Sequence, residues 1–295
     1  MNGIITKEGT QIMNSPFSLK SGVLAVALFA ALGVQAGPPF NNLEGVGGVA
    51  FNPLAYTAGQ PSADTNGVSS WFSKPQVGSW YVRLGEKNIN WESFGVAETI
   101  GGRLELSYGY EAVRLGTGTL GPGSSPVDIS KNNVGAKLLL IRENECDLPF
   151  VPAVSVGSIW RTTDFNAVGP NRVGVDYYAV ATKLITQTPV PVLLSGGLLD
   201  TDEEVTGVLG NNADHDLTWF GNVDIIPVSF LATGFEYKEG AKYDNFKNAN
   251  YWDAHVAWFV NPNLTLIGAY AYTGDKDNPT FGLGSGFVLS AQYAF

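Results

Sequence analysis

The sequence predicts an all-β fold: a transmembrane antiparallel up-and-down β-barrel of about twelve strands, with both termini periplasmic. Three observations carry this expectation. The first is residues 287–295, where Phe287, Leu289, Ala291, Tyr293 and Phe295 share one parity and Val288, Ser290, Gln292 and Ala294 the other. Alternate strand residues face opposite ways, so this strand has a greasy aromatic side and a small, quiet side. The second is composition. Hydrophobic residues make up 44% and charged residues 15%, with 36 Gly, 7 Trp, 12 Tyr and 16 Phe. Ordinary soluble domains carry roughly 25% charge. A barrel wall hides its hydrophobicity in alternation, so mean hydropathy stays near neutral at +0.04. The third is a rhythm of short and long connections.

At the N-terminus, residues 21–32 form an apolar run after Lys20 and before Val34, Gln35 and Ala36. That is a charged n-region, a short h-region and a small-x-small cleavage site, so residues 1–36 read as a signal peptide. The run is too short for a spanning helix. Met13 offers an alternative start for a shorter signal. Removal of residues 1–36 would take two cations (Lys7, Lys20) and one anion (Glu8) from a formal −10, leaving −11. So acidic a chain is a poor nucleic-acid partner.

Residues 37–76 form a leader rich in Gly, Pro, Asn and Ser. Either it is a loose periplasmic segment, or its apolar centre enters the barrel as a plug. Phe51, Leu54 and Tyr56, beside Asn52, are costly to leave together in water, which favours the plug.

The barrel is expected over 77–295. Candidate strands centre on 77–85, 90–99, 102–113, 132–142, 151–162, 172–185, 190–200, 216–226, 228–238, 250–260, 263–273 and 285–295. Their lengths suit tilted membrane strands. In the third, Leu104, Leu106, Tyr108 and Tyr110 oppose Arg103, Glu105, Ser107, Gly109 and Glu111. The second and sixth alternate poorly. Periplasmic turns are expected near 100–102, 143–150, 187–189, 227 and 261–263, and longer loops at 116–131, 164–171, 201–215, 240–248 and 274–284. The first loop, near 86–88, is short and breaks the rhythm. Trp80, Trp91, Trp160, Trp219, Trp252 and Trp258 are assigned, with several tyrosines, to girdles at the lipid interfaces.

Parity points the charges inward, because Arg or Lys facing mid-membrane lipid costs roughly 2–4 kcal/mol. The lumen-lining candidates are Arg83, Arg103, Glu105, Glu111, Lys137, Arg161, Asp176, Asp224, Glu236, Lys238, Asp253 and His255, with Asp216 nearby. They read equally as a stiffening ion-pair network or as a selectivity lining. Asp200, Asp202, Glu203 and Glu204 lack calcium-loop spacing and read as a solvated acidic loop. Cysteine-based metal sites are excluded by the single Cys146, and no metal or cofactor is expected. No G-x-S-x-G elbow occurs. Neither His215 nor His255 is followed two residues on by Ser, as an outer-membrane lipase requires.

The segment Gly45, Val46, Gly47, Gly48, Val49, Ala50, Phe51, Asn52, Pro53, Leu54, Ala55, Tyr56, followed by a barrel containing Asn132, Asn133, Val134, Gly135, Ala136 and Lys137, resembles an uncharacterised proteobacterial outer-membrane family known by a domain-of-unknown-function label. The resemblance implies a barrel over nearly all the mature chain and supplies no substrate or catalytic residue.

The expectation is therefore a non-enzymatic, porin-like barrel in the outer membrane of a Gram-negative cell, passing small solutes passively. A non-conducting structural or docking barrel is the alternative, and a lipid hydrolase the weakest reading. Expected partners are outer-membrane lipid, a small solute and the barrel-insertion machinery, for which Tyr293 and Phe295 are the candidate signal.

Overall fold

The computed structural model describes residues 40–59, 71–85, 88–119, 122–165, 172–244, 246–274 and 282–295. The expected signal peptide lies outside them. Twelve strands form the wall: β1 Gln76–Leu84, β2 Ile89–Ile100, β3 Leu104–Leu115, β4 Val127–Ile141, β5 Ala153–Asp164, β6 Arg172–Ile185, β7 Val192–Glu203, β8 Asn211–Val228, β9 Leu231–Lys238, β12 Tyr251–Phe259, β13 Leu264–Tyr272 and β14 Ser285–Ala294. Each pairs antiparallel with its neighbours, and β1 pairs with β14 to close the barrel. Closure leaves no unpaired edge, the condition for a sheet in lipid. A two-stranded ribbon, β10 Lys242–Tyr243 with β11 Phe246–Lys247, occupies one expected loop.

The turn end of the barrel carries the start of β1 and the finish of β14, where Gln76 pairs with Ala294. Its connections are tight. Gly101 and Gly102 take positive φ between β2 and β3, as glycine does at low cost. Between β12 and β13, the Asn261 side chain accepts the amides of Asn263 and Leu264 at 2.9 Å each. The loop end carries the longer connections. Two expectations shift. Pro227 lies inside β8 at a register irregularity, and the turn follows it, since proline tolerates such a bulge. β4 and β8 begin at Val127 and Asn211, earlier than expected, because pairs such as Leu115 with Val127 extend the ladder towards the loops.

The outer face bears a continuous apolar belt, including Leu106, Val134, Trp160, Leu198, Trp219, Val256 and Leu289, all exposed. Across strands, the rings of Trp219 and Tyr237 meet tilted at 4.6 Å, and those of Phe235 and Trp252 stack at 5.8 Å. Among the described residues no helix is long and apolar enough to cross a membrane; here the strands carry the apolar surface.

Parity on β1 and β2 runs against expectation. Trp80, Val82, Leu84, Ile89 and Trp91 are buried inside. Their greasy face meets apolar leader residues in the lumen, so "apolar means outward" fails on both strands. Trp80 and Trp91 are therefore not girdle residues. Arg83 is corrected with them. It faces outward near the loop end, donating to Asn90 Oδ1 at 2.7 Å and to Asn88 Oδ1 at 2.5 Å. Arg103 is also no lumen residue. It lies in the turn before β3 and donates to the Leu139 and Leu140 carbonyls and to Glu145.

Two predictions follow from this wall. Val134, half-exposed at the middle of β4, faces the belt between Tyr108 and Trp160. Val134→Arg should lower folding stability in lipid by about 2–4 kcal/mol, read from urea titration in vesicles. At the turn end, the Arg142 amide (2.9 Å) and the Arg103 guanidinium (3.0 Å) hold the Glu145 carboxyl below the usual carboxylate range. A depressed folded value stabilises the turn above the unfolded value, and that support is lost as pH falls through the folded one. Amide protection factors of residues 142–148, taken against intrinsic exchange at each pH, should fall over that acidic range, and Glu145→Gln should remove this fall.

Candidate functional site

Residues 40–59 sit inside the barrel, every one of 40–58 buried. The leader folds locally before it meets the wall. Asn42 Oδ1 accepts the amides of Glu44 (3.0 Å) and Val46 (2.9 Å), an Asx-type turn. Backbone bonds from Gly48 to Phe40 (3.1 Å) and from Leu54 to Gly47 (3.1 Å) tie this turn to a second reversal, closed by the Val49 amide on the Asn52 carbonyl.

This knot needs room, and the wall is thinned to give it. Gly45 has φ +87, and a Cβ there would lie 2.5 Å from the Tyr108 carbonyl oxygen. Across the wall Gly95 pairs with Gly109. A Cβ on Gly95 would come within 2.7 Å of Gly45 Cα, and one on Gly109 would collide with the Glu44 carbonyl. Three glycines thus form a slot where two backbones touch.

A segment with so little regular structure leaves many amides and carbonyls to satisfy. Wall side chains do this. Lys137 Nζ donates to the carbonyls of Gly47 (2.8 Å), Leu54 (3.1 Å) and Tyr56 (2.8 Å), and pairs with Glu105 at 2.9 Å. Glu105 accepts the amides of Gly47 (2.9 Å) and Ala58 (2.6 Å). Glu236 accepts those of Phe51 (2.9 Å) and Asn52 (2.8 Å). Thr182 accepts the Ala55 amide, and Ser155 donates to the Ala55 carbonyl. Tyr56 donates to Glu143 at 2.8 Å.

Glu44 brings a charge of its own. Arg161 touches Glu44 at 2.7 Å, Asp176 at 2.8 Å and Glu203 at 3.0 Å. Lys131 reaches Glu111 at 3.1 Å and Glu44 at 3.5 Å, and Lys238 reaches Glu203 at 3.0 Å. All of these groups are buried. Such a cluster fixes geometry better than it adds stability, because desolvation cancels much of the attraction. On the adjoining β8–β9–β12 sector His255 bridges Asp253 (Nδ1, 2.7 Å) and Asp224 (Nε2, 2.7 Å).

At the loop end one wall connection also turns inward. Residues 204–210 dip inward with Val205 and Val208 fully buried. Lys131 donates to the Thr206 carbonyl at 2.7 Å and Thr163 to that of Gly207 at 3.2 Å.

Of the sequence-derived candidates, Glu105, Glu111, Lys137, Arg161, Asp176, Asp224, Glu236, Lys238, Asp253 and His255 all point into the lumen. Asp216 lies at the rim, accepting the Lys242 amide. Phe51, Asn52, Leu54 and Tyr56 are in the plug. Tyr293 and Phe295 are exposed on the outer face, rings 4.9 Å apart. Three readings change. Glu203 is no solvated loop residue; it contacts Arg161, Lys131 and Lys238, and its reach past the expected end of the strand hid this. Lys131 shares parity with Asn133 and Lys137 but falls one residue before the expected strand. Gln292, expected to be quiet, accepts the Asn41 amide at 2.9 Å and donates to its carbonyl at 3.2 Å.

The family model described as "Protein of unknown function (DUF3034)" matches residues 38–291, plug and wall together. The chain belongs to this family. No curated protein matches this DUF3034 chain. It is similar to several solved structures. One is the KdgM porin, at TM-score 0.50 and 10% identity, covering 75% of this chain and 99% of the porin. Others are Omp33 of Acinetobacter baumannii (TM-score 0.44, 8% identity, 76% and 99% covered) and the COG4313 outer membrane channel of Pseudomonas putida F1 (0.43, 14%, 75% and 94%). At such identities the likeness is one of fold: this DUF3034 member is an outer-membrane-type β-barrel.

The plug contacts give a direct test. Lys137→Met would remove three donors and strand Glu105, so stability should fall by about 3–5 kcal/mol. Limited proteolysis should then cut within 40–59. Glu105→Gln/Lys137→Met should recover part of the loss, because no buried charge is left alone.

Proposed function

We propose that this protein is an outer-membrane channel for small solutes, held closed in the described conformation by residues 40–59. The observation that carries the reading is that the lumen is filled by a segment outside the wall. A purely structural barrel can close its interior with its own side chains. Here wall glycines make space and wall charges bind foreign backbone, an arrangement suited to a plug that leaves. On this reading, residues 1–36 direct export to the Gram-negative envelope and are removed. Tyr293 and Phe295 engage the insertion machinery.

Single-channel recording in planar bilayers tests the proposal. Full-length protein should conduct rarely, and a Δ40–59 variant should show frequent, larger openings. Gly109→Val, which fills the slot without shortening the chain, should shift behaviour the same way. Barrels that stay sealed in both variants would point instead to a docking or structural role.

A further inference from the structure

Resting on the channel reading, we infer that the opened lumen passes small cations in preference to anions. The carriers of this preference are Asp224, Glu236 and Asp253, on one sector of the wall.

Charge in the lumen falls into three groups. The Arg161 cluster sets Lys131, Arg161 and Lys238 against Glu111, Asp176 and Glu203, so its wall residues balance three to three. Its extra anion, Glu44, belongs to the plug and departs with it. The Glu105–Lys137 pair, at 2.9 Å, also balances. The third group does not. Asp224, Glu236 and Asp253 have only His255 between them. Glu236 faces Asp253 directly across the β9–β12 ladder. Three acidic side chains face a single imidazole, so this group alone lacks matched cations.

The plug shows what that sector binds. With the plug seated, Glu236 is answered by two amide donors, Phe51 N and Asn52 N. When the plug leaves, these donors leave too, and no cationic side chain among the described residues forms an ion pair with Glu236. Water or a passing cation must replace them. An ammonium or guanidinium solute offers the same N–H donors with a full charge, a stronger partner for a carboxylate.

The strand leading to this sector carries the same sign. β8 carries Asp214 and Asp216 towards the loop end and Asp224 within the lumen. A narrow opening with low-dielectric walls and one sign of charge concentrates counter-ions at its mouth.

The experiment is a reversal-potential measurement on the Δ40–59 barrel, and in parallel on full-length Gly109→Val, under a KCl gradient. Potassium should permeate several-fold better than chloride. The preference should shrink from 0.1 M to 1 M salt, as the screening length falls from ~10 Å to ~3 Å. Asp224→Asn/Glu236→Gln/Asp253→Asn in the deletion background should bring the two permeabilities close to equal. Conductance that is non-selective or anion-selective overturns the inference and leaves the channel reading intact. Cation preference that survives the triple substitution overturns the assignment to this sector. Absence of conductance from both open variants overturns the channel reading and this inference with it.

Discussion

The structure depends on one requirement: backbone polar groups taken out of water need partners. The wall meets it by closing on itself, β1 to β14. The leader cannot, because its two turns leave most amides and carbonyls free of regular pairing. It relies on ionised side chains instead. Lys137 supplies donors to three carbonyls, and Glu105 and Glu236 each take two amides. Buried charge, usually costly, is sustained here because each ion meets a complementary backbone dipole or counter-ion.

That requirement explains the composition of the lumen. Where the leader presents side chains such as Phe40, Leu43 and Phe51, the wall answers with Trp80, Val82, Trp91 and Val113. Where it presents backbone, the wall answers with charge or hydroxyl. Where it presents neither, at Gly45, the wall withdraws its own side chains at Gly95 and Gly109. The lumen is patterned against a particular segment, residue by residue.

Most of the wall was legible in the sequence, because lipid imposes a simple rule on one face. β3, β8, β12 and β14 obey it, and their inward and outward residues could be assigned directly. Arg83, Trp80 and Trp91 could not, since an apolar lumen reverses the rule on β1 and β2. Lys131 and Glu203 were missed for a different reason. The ladder continues past the membrane-spanning length, so residues that look like loop are still inside the cylinder. Gln292 looked inert because its role exists only once Asn41, 251 positions away, is beside it.

Asn41 sits at the seam between the first and last strands. Its amide and carbonyl bond Gln292 on β14, its side chain donates to the Gln76 carbonyl on β1 at 3.3 Å, and its carbonyl also accepts Trp80 Nε1 at 2.6 Å. This seat is complete only when the two strands lie side by side. The segment that blocks the lumen therefore also clasps the joint made last in the chain. Dislodging it loosens the stave-to-stave join as well as clearing the bore, and an empty barrel is held at that seam by its ladder bonds, strand-to-strand packing and the Ser290 hydroxyl on the Ser79 carbonyl.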